Sequence, residues 1–351
     1  MNQEIQIGSH KIGKDHPVYV IAEMSANHLQ DYDRAVRILH AAKEAGADCI
    51  KLQTYTADTI TFNGTQKHFR ITGGTIWDGT TLYRLYEEAY TPWEWQPRLM
   101  EEAKKLGLDC FSSPFDFTAV DFMEEMDMPA YKIASYEIND IPLIRKVARL
   151  GKPVILSTGI ATFEDIELAL DTCREAGNEQ IALLKCVSSY PTPYEAINLR
   201  HIRTLADRYG CIMGLSDHTM GSTVAVASIA MGARIIEKHL TLRRADGGPD
   251  GSFSMEPEEF ADMVQQIRIV EKALGTSEYF LNESQLIEHE GARSLFAVKD
   301  IAKGEVLTPE NVRSIRPGNG LHTKYYDEIL GKNAASDIKA GTPLSFDLIS
   351  M

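Results

Sequence analysis

Cys211-Ile-Met-Gly-Leu-Ser-Asp-His218 and Ala233-Arg-Ile-Ile-Glu-Lys-His239 share one design: a short apolar run passes directly into polar side chains able to bind a metal. Each run has the length and composition of a buried strand. If the two are neighbours in a parallel sheet, His218 and His239 converge on one ion. Two histidines with further positions open is the layout of a catalytic site rather than a closed structural one. A histidine beside a strand can equally be a satisfied hydrogen-bonding group, so the decision rests on whether the rest of the chain repeats the arrangement.

It does. Apolar runs recur at Val18 to Ala22, Cys49 to Leu52, Leu108 to Phe111, Ala130 to Ala134, Pro153 to Leu156 and Ile181 to Leu184, and these two complete a set of eight. Between the first two, Ala35, Ile38, Leu39, Ala42 and Ala45 follow the i, i+3, i+4, i+7 spacing of one helix face, closed by Gly46. Phe260, Met263, Val264, Ile267 and Val270 form the last such face, ended by Gly275. Eight strand-helix units over roughly 270 residues predict a (β/α)8 TIM barrel, with a doubly wound open sheet as the alternative. The stretch from Gln53 to about Thr91 is abnormal, polar and aromatic, with Gly73-Gly74, Trp77-Asp-Gly79, Tyr83, Tyr86 and Tyr90. So long a connection is functional or disordered, and its aromatic content favours an ordered lid.

Beyond Gly275 the pattern changes to a charged linker and then short strands and turns. Ala297-x-x-Asp300-Ile301-x-x-Gly304-x-x-Leu307 recurs as Ala334-x-x-Asp337-Ile338-x-x-Gly341-x-x-Leu344. This echo predicts a small pseudo-symmetric β module with little core of its own. The expected organisation is a catalytic barrel over 1–280, a linker over 281–290 and the β module over 291–351.

Composition bounds the function. With 44% hydrophobic residues in 351 the chain can build a full core, and its net charge of −14 argues against nucleic acid or an anionic membrane as partner. No apolar run is long enough for a transmembrane helix, and the first residues do not read as a signal peptide. Cys49, Cys110, Cys173, Cys186 and Cys211 form no C-x-x-C pair, which reads as buried, reduced thiols in a cytoplasmic protein.

Chemistry in such a barrel sits at the C-terminal ends of the strands. Those ends carry Glu23; Lys51 and Gln53; Ser112 and Ser113; Lys132, Ser135 and Glu137; Ser157; Lys185, Ser188 and Tyr190; Ser216, Asp217 and His218; and Glu237, Lys238 and His239. Lysines inside apolar strands are costly unless paired. Lys51 and Lys132 therefore read either as partners of structural carboxylates or as part of an ammonium and hydroxyl pocket for a phosphate and a carboxylate. Glu23 is a helix-capping carboxylate or, beside a metal, a group that moves a proton. Asp217 and Glu237 read as salt-bridge partners rather than ligands. Two imidazoles completed by water and substrate oxygens suit Mn²⁺, Co²⁺, Mg²⁺ or Zn²⁺.

Taken in order, these residues resemble the sialic acid synthase family. The matching pieces are Ile21-Ala-Glu-Met-Ser-Ala-Asn-His28, Lys51-Leu-Gln53, Tyr131-Lys-Ile-Ala-Ser-Tyr-Glu137, Leu156-Ser-Thr-Gly159, Ser189-Tyr-Pro-Thr-Pro193, Gly214-Leu-Ser-Asp-His-Thr219, Ile236-Glu-Lys-His239 and Gly248-Pro-Asp250. Arg293-Ser-Leu-Phe-Ala297 and Arg316-Pro-Gly318 carry the resemblance into the tail, which is similar to that family's antifreeze-like (SAF, β-clip) domain. Within the family the insertion Gly73 to Gly79 and Leu184-Lys-Cys-Val-Ser-Ser-Tyr190 resemble the branch that forms pseudaminic acid, while Leu29-Gln30 departs from the small residues common there.

The resemblance implies a transferase that condenses phosphoenolpyruvate with an N-acetylated 6-deoxy hexose. N-acetylneuraminate or legionaminate formation is the alternative, and a sugar-binding protein without turnover a third reading. It further implies that His218 and His239 hold a divalent ion, Mn²⁺ before Co²⁺, Mg²⁺ or Zn²⁺, and that Glu23 manages the new hydroxyl and the attacking water. Lys51, Lys132, Ser135, Ser157, Ser188 and Ser216 would bind phosphoenolpyruvate. Gln53, Glu137, Tyr190, Asp250 and Arg316 would contact the sugar, Arg316 from the tail of the other subunit in a swapped homodimer.

Overall fold

The computed structural model describes residues 4–350. An antiparallel hairpin, β1 (Glu4–Ile7) and β2 (His10–Gly13), comes first and buries Ile5, Ile7 and Ile12 in the main core. Its two-residue alternation, Glu4-Ile5-Gln6-Ile7, was present in the sequence but lies outside the strand-helix rhythm.

Eight parallel strands follow: β3 (Tyr19–Glu23), β4 (Cys49–Thr54), β5 (Asp109–Pro114), β6 (Tyr131–Ile133), β7 (Val154–Ser157), β8 (Ile181–Lys185), β9 (Ile212–Asp217) and β10 (Ile235–His239). The sheet is closed, because β10 pairs with both β9 and β3. Closure excludes the open doubly wound alternative. Helices on the outside cover it, as the periodicity predicts. In the helix Tyr32–Glu44, Asp31 caps the N-terminus by accepting the Arg34 N–H, and Ala35, Ile38, Leu39 and Ala42 are buried. Each of the larger of these contributes about 1.5–3 kcal/mol by leaving water. In the helix Pro257–Leu274 the buried face is Phe260, Met263, Val264 and Ile267.

Several strands run further than their apolar stretches. Glu23, Gln53, Ser112, Ser113, Lys185, Ser216, Asp217, Glu237, Lys238 and His239 all lie inside strands, where ladder hydrogen bonds fix their backbones. Gly214, from the stretch quoted first, is required by closure: a Cβ there would lie 2.4 Å from Leu184 Cδ2 and 2.5 Å from the Ile235 carbonyl.

The insertion is ordered by a short helix (Ala57–Ile60), a Thr81-capped helix (Leu82–Ala89) and an antiparallel bridge between Arg70 and Thr81. Among the described residues no helix is long and apolar enough to cross a membrane.

A second compact unit begins at Thr276. A short helix, Glu283–His289, occupies most of the expected linker, followed by β11 (Ser294–Ala297) against β12 (Val312–Ile315) and β13 (Asn333–Ala334) against β14 (Ile349–Ser350). Its small core includes Leu295, Ile301, Leu307, Val312, Ile338 and Leu344. The sequence echo is a structural two-fold. Ile301 and Ile338 exchange both backbone hydrogen bonds at 2.8 Å, Asp300 accepts the Ala340 N–H, and Asp337 accepts the Lys303 N–H. Gly304 and Gly341 both have φ above +80°, which glycine adopts without strain.

Candidate active site

Side chains alternate across a strand, and on β10 this sends Glu237 and His239 to one face and Lys238 to the other. Lys238 is fully buried against Asp217 Oδ2 (2.7 Å) and the Thr219 carbonyl (2.6 Å). Glu237 instead meets the strand-borne lysines. Its Oε1 accepts from Lys132 Nζ at 3.0 Å and Ser216 Oγ at 3.1 Å, with Lys51 Nζ at 3.8 Å. Lys51 contacts Glu23 Oε2 and donates to Ser113 Oγ (3.3 Å), while Gln53 Nε2 donates to Glu23 Oε1 (3.0 Å). Lys185 turns to the Cys186 carbonyl. Of the four strand lysines, two thus form a buried cluster with two carboxylates, so Lys51 and Lys132 are ion-paired, as the first reading of them has it.

The two carboxylates differ. Burial pushes Glu23 up to about 7, and the Glu237 charge adds to this against the opposing Lys51. Burial also pushes Glu237 upward, but Lys132 and Lys51 together outweigh it and hold it well below the usual range. A pair of carboxyl groups driven apart in this way divides into one that exchanges protons near neutrality and one that stays charged.

Beside this cluster, Ser188 Oγ donates to Ser135 Oγ (2.8 Å), which also accepts the Ile160 N–H (3.1 Å). A Cβ on Gly159 would lie 2.5 Å from Ser135 Oγ, Ser188 Oγ and Cys186 Sγ, so only glycine leaves this hollow open. Ser157 Oγ, Glu137 Oε2, Glu237 Oε2 and His239 Nδ1 are buried without a hydrogen-bond partner in the protein. Buried polar atoms are almost always satisfied, and four orphans on residues at the strand ends mark places for ligand atoms. Burial, with Asp140 nearby, pushes Glu137 up to about 7.

The histidine rings lie 5.4 Å apart, centroid to centroid. The Val187 carbonyl, 3.0 Å from His218 Nδ1, can only accept, so Nδ1 carries the proton and Nε2 presents its lone pair. Burial lowers His218 to about 4 and His239 well below the ordinary value. Two neutral imidazoles, one with an orphaned nitrogen, fit a divalent ion. Among the described residues no group of three or more His, Cys, Asp or Glu side chains could hold a metal, so the pair would leave positions for water and substrate.

Comparison with known proteins agrees with this geometry. The NeuB family profile matches residues 38–279, and a SAF domain profile matches 292–350. Pseudaminic acid synthase of Helicobacter pylori is 48% identical over 332 residues, covering 94% of this chain and 97% of the relative. The enzyme of that name from Campylobacter jejuni is 46% identical over 340 residues, covering 97% and 98%. The crystal structure of N-acetylneuraminic acid synthetase from Leptospira borgpetersenii matches with a TM-score of 0.74 at 34% identity, covering 82% of this chain and 95% of that one.

The chain belongs to the NeuB family.

Around the NeuB-family centre, three loops close on one another. Ser25 donates to Asp250 Oδ2, which also accepts the Ala26 N–H, and burial raises Asp250 above its ordinary value. Gln30 Nε2 donates to the Glu88 and Tyr90 carbonyls of the insertion, and Trp77 Nε1 donates to the Pro249 carbonyl at 2.7 Å. Leu29 fills the space beside Gly248. The unusual Leu29-Gln30 pair, both at positive φ, therefore joins the first loop to the insertion and to the last loop.

His28 anchors the same region. Its Nδ1 accepts the Gln30 N–H, so its Nε2–H faces Thr91 Oγ1 at 3.2 Å. Burial, with the Arg34 charge, lowers it to about 4 from 6.5. The unfolded chain then binds the extra proton between those values. Stability is full above about 6.5 and falls as the pH drops towards 4, by about 3 kcal/mol. Chemical denaturation of His28→Gln is expected to show a flatter pH dependence in that window than the unaltered protein; parallel curves would refute it.

Arg316 lies in the second unit and is exposed. The role of Ser25 and the direct contact of Glu237 with both lysines were not legible in the sequence, whereas Ser113 stood among the strand-end residues without a partner assigned to it. Ser25 has no residue-type signal, and it takes φ 45° to turn towards Asp250. A groove of about 640 Å³ near His10, Tyr19, Asp48 and Arg268 lies at the other strand ends. Of its lining, His10 contacts Asp109 at 2.7 Å and Arg268 pairs with Asp48 at 3.1 Å.

Proposed function

We propose that this protein is a pseudaminic acid synthase, condensing phosphoenolpyruvate with 2,4-diacetamido-2,4,6-trideoxy-L-altrose and releasing phosphate by C–O cleavage. The observation that carries the reaction is the buried Lys51–Glu23 and Lys132–Glu237 cluster beside His218 and His239. The substrate rests on the 48% and 46% identity to pseudaminic acid synthases, against 34% to an N-acetylneuraminic acid synthetase. Formation of legionaminic or N-acetylneuraminic acid by the same chemistry is the second reading.

Carbon 3 of phosphoenolpyruvate bonds to the sugar aldehyde carbon, whose oxygen takes a proton to become a hydroxyl. Water adds to the resulting cationic carbon 2, losing its proton, and the tetrahedral carbon expels phosphate. Lys51 and Lys132, with Ser135, Ser157, Ser188 and Ser216, hold the phosphate and carboxylate; the ammonium groups neutralise charge in a water-poor pocket. Glu23, with a pKa near neutrality, takes and returns the protons of the hydroxyl and the water. Glu237 stays anionic and keeps both ammonium groups in place. His218 and His239 would hold a divalent ion, Mn²⁺ first among the candidates, and the ion would supply Lewis acidity towards the aldehyde oxygen. Gln53, Glu137, Tyr190 and Asp250 orient the sugar.

We assign the catalytic barrel to 1–280, the linker to 281–290 and the SAF domain to 291–351. We also propose a homodimer in which the exposed Arg316 of each chain serves the other's barrel; a fully active monomer would exclude it.

The deciding experiment is phosphate release from phosphoenolpyruvate with Mn²⁺, offering the altrose sugar, its legionaminate-pathway counterpart and N-acetylmannosamine in parallel. Release with the altrose sugar alone is expected. Release only with another sugar would keep the reaction and overturn the substrate, and no release with any would favour a binding protein.

A further inference from the structure

We infer that Trp77, with Tyr190 and Phe253, forms the apolar wall that receives the C6 methyl of the acceptor, and that Trp77 sets the preference for a 6-deoxy sugar. This rests on the function proposed above. The rings step outward from the histidine pair. Tyr190 lies 4.3 Å from the His218 ring and Phe253 5.0 Å from the His239 ring. Trp77 packs on Tyr190 at 5.4 Å and edge-on to Phe253 at 6.5 Å. A sugar with its aldehyde at the histidines carries its sixth carbon at the far end of its chain, and on this proposal that end meets Trp77, one ring further out than Tyr190 and Phe253.

The indole is fixed and chemically blank. Its N–H is taken by the Pro249 carbonyl, so it offers the pocket carbon surface only. The turn that presents it is preset: Asp78 accepts the Gly74 and Thr75 N–H groups and the Thr75 hydroxyl, all within 2.9 Å. A cavity of about 560 Å³ on another side of Trp77 is lined by Ile76, Leu85 and Pro249 together with Asp78, Thr80, Glu88 and Ser252, so the apolar wall is confined to the ring faces. A methyl group loses nothing against the indole face, whereas a hydroxyl there gives up its water without gaining a partner. An apolar pocket discriminates at this level by about 10- to 100-fold.

The test compares kcat/KM for the 6-deoxy altrose sugar and its 6-hydroxy counterpart in the unaltered enzyme, W77F and W77Q. The unaltered enzyme is expected to favour the 6-deoxy sugar at least tenfold. Trp77→Phe keeps an apolar face without the bond to Pro249 and should retain most of that preference. Trp77→Gln should bring the ratio within about threefold of unity. Equal use of both sugars by the unaltered enzyme would overturn the inference even if neither variant folded. So would equal loss of preference in both variants, which would make Trp77 a latch for the insertion rather than the wall. Failure of the unaltered enzyme to use either altrose sugar, with turnover of another, would instead overturn the proposed substrate.

Discussion

Glu23→Gln is expected to lower kcat by about a thousandfold, within the 10²- to 10⁴-fold range of a general acid-base group, while the barrel stays folded. Glutamine keeps one acceptor oxygen, enough for Lys51 or for Gln53 but not for both, and Lys51 retains Ser113 at 3.3 Å and Glu237 at 3.8 Å. What it removes is the exchangeable proton. Because burial holds this carboxyl at about 7, kcat/KM of the unaltered enzyme should rise as the pH passes through about 7 and Glu23 ionises. The variant should lack that limb. The stability effect has the opposite direction. A carboxyl whose folded pKa exceeds its value of 4.5 in the unfolded chain stabilises the fold below about 4.5 and loses that contribution as the pH rises through 7. A variant within tenfold of full activity, or one that keeps the limb, would remove Glu23 from the mechanism.

Chelation and His239→Ala should each abolish turnover, by at least about a hundredfold given the loss in metal affinity when even a supporting group is removed. Mn²⁺ should restore the chelated enzyme and not the variant, and metal analysis should find about one ion per unaltered chain and none in the variant. The reason lies in burial, which lowers both imidazoles and keeps them neutral near neutral pH, and among the described residues no group of three or more such side chains could hold a metal. Full activity in excess chelator, or a metal-replete alanine variant, would show that the two histidines serve another purpose.

Where the sequence was legible, the signal was local. Ile38 and Leu39 announce their helix by spacing, and the apolar runs announce their strands, because burial of one face or of a whole strand selects residue types at a fixed period. The order of polar residues at the strand ends followed directly, since a closed parallel barrel brings all those ends to one face. The hairpin at Glu4–Gly13 escaped because it sits outside that rhythm, although Ile5, Ile7 and Ile12 are as deeply buried as the barrel strands.

Glu237 and Lys238 show the boundary most clearly. They are adjacent and both charged, and nothing in their identities says which enters the site. Strand pleating puts Glu237 among Lys51, Lys132 and Ser216 and turns Lys238 to Asp217. Likewise, Trp77 stands far along the chain from Pro249, and only the packing of three loops brings its indole N–H to that carbonyl. The sequence by itself determined the barrel, the β module with its internal echo, and the inventory of groups for the chemistry, because periodicity and residue type are local properties. Only the tertiary structure decided which carboxyl is raised towards neutrality, which lysines pair with Glu23 and Glu237 and which rings pack beside the histidines, because those depend on burial and on the distances between groups remote in sequence.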